Sequence, residues 1–152
     1  VAATGVGEAF VAAATALRHE GIATVYATSG RRLPAPLLAL RGGPAQFVFD
    51  RGQLGGPAGL LAFVVSASRG EREAIEQAVI EQAHALGWQD VQPLRTVVEK
   101  RATFACTPGL QRPAARIAPG LWACGDYGQG PYPATLEGAV RSAQEVVTAI
   151  GR

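Results

Sequence analysis

The run LWACGDYGQGPYPATLEGAVRSA, residues 121–143, gathers the residue types with the clearest capacity for chemistry. An apolar stretch ends in Gly125 and Asp126, small residues follow, and a helical pattern starts near Pro133 and Ala134. Ligands of α/β proteins sit at the carboxyl ends of strands. The first turn of a helix offers unpaired N–H groups and a positive dipole end to an anion or an electron-rich oxygen. In that setting Gly125 lets backbone approach a ligand, and Asp126 accepts hydrogen bonds from the hydroxyls of a polyol or ribose. The alternative is local: Asp126 terminates a strand and the glycines make a turn, since strand–loop–helix units serve many functions.

Other reactive side chains have less around them. His19 and His84 lack Cys, His or carboxylate neighbours at ligand spacing, so no metal site is expected, and His84 is placed on the solvated side of a helix. Cys106 and Cys124 form no CxxC pair and are read as free thiols, packed small residues or one disulfide. Ser66 and Ser68 stand outside any GxSxG elbow. Lys100 and Arg101 read as solvated strand-end charges.

Certain elements must position these residues. Phe10, Ala13, Ala14 and Leu17 recur at helical spacing, with Gly21 as the stop. Residues 22–29, 37–40, 45–50 and 59–68 read as strands separated by Gly- and Pro-rich turns, an antiparallel meander. Ser68 and Glu71 stand at capping-box spacing before a helix whose apolar stripe is Ile75, Ala78, Val79 and Leu86, closed by Gly87. Residues 93–105 form a further strand, 107–120 a loop, and 121–126 a short, fully buried strand. The last helix places Leu136, Ala139, Val140, Ala143, Val147 and Ile150 on one face. Residues 22–105 thus read as an antiparallel sheet with a packed helix, and 121–150 as half of a parallel βα unit.

The 152 residues are 48% hydrophobic and 17% charged, which excludes disorder and a disulfide scaffold and suits a domain with its own core. Fourteen basic against 12 acidic residues, spread along the chain, make nucleic acid an unexpected partner. The first residues carry no basic n-region, and no apolar run reaches the roughly 18 residues of a membrane span. With Val1 in first place and no methionine at all, a fragment of a longer chain is expected.

The string GLWACGDYGQGPYPATLEGAVRSA resembles the C-terminal FAD-contacting motif of the flavin amine oxidase and phytoene desaturase superfamily. IATVY, QFVFDRGQLGG, LLAFVVSAS and VVEKRATFACTPGLQRP resemble one branch of it, the squalene-associated FAD-dependent desaturases, or hydroxysqualene dehydroxylases, of hopanoid biosynthesis. The likeness covers nearly all of residues 20–150. It implies an α+β fold in which residues 1–118 are part of a substrate domain and residues 119–152 are the C-terminal strand and helix of a Rossmann-like FAD-binding domain. It also implies FAD as cofactor, with Asp126 on the ribityl or pyrophosphate part and Gly125 beside it. Pro133, Ala134 and Thr135 then pass close to the flavin, and the helix-start N–H groups around Leu136 face the pyrimidine edge of the ring. Glu137 complements the dipole, while Gly138 and Ala139 pack closely. The catalytic residues stay unassigned. Carotenoid-type desaturation or amine oxidation are neighbouring readings, and a non-catalytic binding domain is the reading of another class. Gly128 and Ala143 depart from the commoner Thr and Gly of the family. The GxGxxG turn that holds the pyrophosphate is missing, because Gly5-Val6-Gly7 is followed by Glu8, Ala9 and Phe10. These residues alone are therefore expected to be inactive and to retain no FAD. The implied partner is an apolar isoprenoid in a cytoplasmic enzyme peripheral to the inner membrane. Tyr26, Phe47, Phe49, Phe63 and Phe104 line a tunnel for it or belong to the core. Apolar surface on 121–124 and the last helix is expected to favour self-association.

Overall fold

The computed structural model describes residues 5–151. It is an α+β chain with a mostly antiparallel sheet and three α-helices: α1 (Glu8–Thr15), β1 (His19–Thr28), β2 (Leu37–Ala39), β3 (Phe47–Asp50), β4 (Leu60–Ser68), α2 (Arg72–Ala85), β5 (Gln92–Phe104), β6 (Arg116–Ala118), β7 (Leu121–Trp122) and α3 (Leu136–Ile150). Two compact units divide it, Glu20–Ala102 in one and the segments 1–19 and 103–152 in the other. Helix α1 and residues 103–118 therefore group with the C-terminal strand and helix. No helix among the described residues is long and apolar enough to cross a membrane.

Unit 20–102 is a five-stranded sheet in the order β2-β3-β4-β1-β5. The expected meander holds for β2, β3 and β4, but β1 lies between β4 and β5. Side chains alternate across a sheet, so register decides which face each joins. Val25 is paired with Phe63, Ala27 with Leu61, and Val48 with Phe63, all antiparallel, which puts these residues on one face. They are fully buried there, and α2 covers them with Ile75, Val79 and Ala83 at i, i+4 and i+8. The other face carries Tyr26, Phe49 and Val64, half-buried, with Phe47 and Leu37 exposed. Of the five candidate tunnel aromatics, Phe63 and Phe104 are core.

Several sequence expectations are corrected. Gly21 lies inside β1 because α1 ends at Thr15. The capping box does not form: Ser68 ends β4 with its buried hydroxyl unpartnered, and Glu71 is the N-cap of α2 without a side-chain bond. Leu86 is exposed, since it falls after the last turn of α2, and Gln82 takes the buried place on the stripe. His84 is half-buried, and its Nε2 is shielded from solvent rather than bathed in it. The strand expected at 121–126 shrinks to Leu121–Trp122, pairs antiparallel with β6, and is neither parallel nor buried, with Leu121 38% exposed. Among the described residues β6 is its only strand partner, so it lacks the flanking strands and covering layers that bury a parallel strand. In α3 the inward line is Gly138, Ser142 and Val146, while Leu136, Val140, Val147 and Ile150 face solvent. Small residues win the inner face because backbone approaches closely there.

Two buried polar side chains tie the sheet unit together. Gln82 accepts from the Ala45 N–H at 2.9 Å and donates to the carbonyls of Ala45 and Arg41 at 2.9 and 3.2 Å. Asp50, on the core face, accepts from Leu33 N, Gln53 N and the Gln53 side chain. The Gln53 amide holds its carboxyl below the usual carboxylate range, against the opposing effect of burial.

Replacing Gln82 by Leu keeps the volume but strands Ala45 N–H and C=O; we expect a loss of about 1–3 kcal/mol, read from the urea midpoint. Asp50 has a folded-state pKa below its unfolded value, so its contribution is complete above the unfolded pKa of about 3.9 and is lost as pH falls through the folded value. Urea midpoints measured down that acid range should therefore fall more steeply for the native chain than for Asp50→Asn.

Candidate functional site

Unit 1–19 with 103–152 holds every residue singled out for cofactor contact. The β6–β7 hairpin sets the entry: Arg116 pairs with Trp122 and Ala118 with Leu121, and Ala123 N donates to Ala115 O at 2.8 Å. The chain then enters a loop at Gly125. Its N–H donates to Ser142 Oγ at 2.8 Å, and that hydroxyl donates to Ala139 O at 2.8 Å, so the loop is tied to the second turn of α3. A side chain at Gly125 would strike the Tyr127 ring at 2.5 Å, so the bare Cα there admits a neighbouring ring.

Asp126 joins the two halves of the motif. Its carbonyl accepts from Ala134 N at 3.2 Å, which brings Gly125 and Asp126 beside Pro133, Ala134, Thr135 and Leu136. Among the described residues, no group donates to its half-buried carboxylate, which is left with acceptor capacity. Thr135 is the N-cap of α3: its hydroxyl accepts from Gly138 N at 3.0 Å and donates to Tyr132 O at 2.7 Å. Gly138 is needed because a Cβ would lie 2.2 Å from Tyr132 O. Tyr132 and Ala134 both hold φ of 56°, a left-handed conformation costly to residues with a Cβ, which Ala67 of the sheet unit also adopts. The Leu136 side chain is 88% exposed. Glu137 sits in the first turn and pairs with Arg141, whose guanidinium lies 5.0 Å from the centre of the Tyr132 ring.

Three residues that sequence reasoning missed build this loop. Arg112 donates to Gly128 O at 2.5 Å and to Gly130 O, and Gln129 N donates to Pro113 O at 2.9 Å. Tyr127 packs edge-on against Phe10 with ring centres 6.5 Å apart, and Ser142 is the tie already described. Nothing in the sequence marks Arg112 for this part, because which carbonyls it meets depends on how the glycines fold. Cys106 and Cys124 are free and exposed, which closes the disulfide alternative for this structure.

The crevice between Arg112, Asp126, Gly130 and Ser142 has about 10 Å³ of water-accessible space, room for one water. A carboxylate beside a helix start has acceptor capacity for the hydroxyls of a polyol, and the crevice next to it encloses nothing larger than a water. No family model matches the chain, and a search of curated proteins returns no match.

Arg112→Ala should leave the fold intact and free the 125–130 loop. We expect amide exchange at Gly128 and Gln129 to accelerate by about tenfold or more, for a loss of roughly 1–3 kcal/mol. Arg112→Lys should restore only part, since one ammonium cannot span two carbonyls as a planar guanidinium does.

Proposed function

We propose that this chain supplies the substrate-binding sheet and one wall of the flavin site of an FAD-dependent oxidoreductase acting on a squalene-type isoprenoid, with reductive dehydroxylation of hydroxysqualene to squalene as the reaction. The observation that carries the reading is the meeting of Asp126 with the Ala134–Leu136 helix start, through the bond from Ala134 N to Asp126 O. It leaves the Asp126 carboxylate able to accept from the cofactor's hydroxyls, while the first turn of α3 offers a positive dipole end to charge on the ring.

Asp126 and the first turn of α3 would hold one edge of a reduced flavin, which would supply hydride chemistry for replacing an allylic hydroxyl that departs, protonated, as water. The protein's part is to orient and to exclude solvent. Phe47, Phe49, Tyr26 and Val64 on the sheet face opposite α2 suit an apolar polyprenyl chain. The outward stripe of Leu136, Val140, Val147 and Ile150 suits cover by the rest of a flavin domain. The pyrophosphate turn, absent from these residues, would come from that part, and the chain by itself would be inactive. The reading carries with it a cytoplasmic enzyme meeting its substrate at the inner-membrane surface. The nearly filled crevice beside Asp126 favours one second reading, a non-catalytic binding domain.

The gene product purified from its natural host should be yellow, with flavin absorption bands, and should convert hydroxysqualene to squalene under reducing conditions. Asp126→Ala should weaken flavin retention about tenfold or more. Phytoene or amine turnover instead would move the assignment within the superfamily, and a colourless protein would sink it.

A further inference from the structure

The flavin reading makes no use of a second cavity, of about 370 Å³, which lies wholly within unit 20–102. That volume is in the range of small-molecule sites. The β1–β2 loop contributes Arg31 and Arg32, the end of β3 and the turn after it contribute Asp50 and Gln53, and Gly59 closes it ahead of β4.

The lining is charged in an ordered way. Asp50, 4% exposed, forms a buried anionic floor, and no cation pairs with it among the described residues. Oδ2 accepts from Leu33 N at 3.1 Å and Gln53 Nε2 at 2.8 Å, whereas Oδ1 accepts a long 3.3 Å bond from Gln53 N, and the Gly52 N–H adds a weaker backbone contact to the carboxylate. A carboxylate has about four acceptor positions, so Oδ1 keeps capacity for a donor from the cavity. Arg31 is steadied by the Trp88 ring, 5.8 Å from its guanidinium, and by a 3.5 Å bond to Gly87 O. Arg32 is exposed and has no hydrogen-bond or ion-pair partner among the described residues.

Two guanidiniums attract an anion, and the carboxylate floor repels one that goes deep. A ligand satisfying both keeps its charge among the arginines and turns a neutral donor toward Asp50. A free cation is disfavoured by the arginines, and a bare anion leaves Oδ1 unused. We propose that this cavity binds a small hydroxylated organic anion, its phosphate or carboxylate paired by Arg31 and Arg32 and a hydroxyl donating to Asp50. The site does not depend on the flavin reading.

The test is a titration of the 152-residue chain followed through its backbone amide resonances, with glycerol 3-phosphate, glycerate, inorganic phosphate and glycerol as separate probes. Saturable shifts at Gly30, Gln53 and Gly59 are expected with glycerol 3-phosphate or glycerate, the tighter of the two naming the anionic group. Inorganic phosphate should bind at least about tenfold more weakly, and glycerol not at all. The exposed pair Arg31→Ala and Arg32→Ala, shown to be folded by the same spectrum, should lose at least about tenfold in affinity. The proposal is overturned if neither hydroxylated anion gives saturable shifts, if inorganic phosphate binds equally well, or if the double variant binds as the native chain does.

Discussion

The register of β4 against its neighbours is the constraint on which the sheet unit depends. Phe63 faces Val25 on one side and Val48 on the other, and all three are fully buried. A slip of one residue would send this set to the opposite face and bring Ala62 and Val64 beneath α2, which would leave a Phe in solvent and cavities under the helix. The same register carries Asp50 to the core face opposite Leu61, where burial obliges it to collect donors. Those donors come from Leu33 and Gln53, so the loops at that end of the sheet are organised around one carboxylate.

Gln82 solves a related problem at the other side of the core. The segment at Ala45 is buried before β3 begins, and its N–H and C=O have no strand to pair with there. One amide supplies both a donor and an acceptor, a match that no apolar side chain could make. A polar residue on the buried stripe of an otherwise amphipathic helix is thus explained by the backbone it completes.

The C-terminal unit is organised on different terms. Its contacts are dominated by backbone and small side chains: the Ser142 tie, the Thr135 cap, the Arg112 clamp on two glycine carbonyls. Such contacts demand close approach, which is why Gly138 and Ser142 occupy the inward line of α3 and the larger aliphatic residues face outward. The strain at Tyr132 and Ala134 falls in the same loop as the uncommitted carboxylate of Asp126.

The sequence by itself determined the local elements. β-Branched and apolar runs bounded by Gly and Pro marked β1, β3 and β4, alternation marked β5, and helical spacing marked α2 and α3, because these patterns are written within a few consecutive residues. It also marked Gly125, Asp126 and the 133–136 segment as a unit, which the Ala134–Asp126 bond joins. Tertiary structure decided the rest. The insertion of β1 beside β4, the inward face of α3, the failure of the Ser68 cap, and the partners of Gln82, Asp50 and Arg112 all depend on groups brought together from distant parts of the chain. The apolar stripe of α3 faces outward for a physical reason. A hydrophobic stripe reports what a helix would gain by being covered, whereas the observed contact was set by how near the backbone could come.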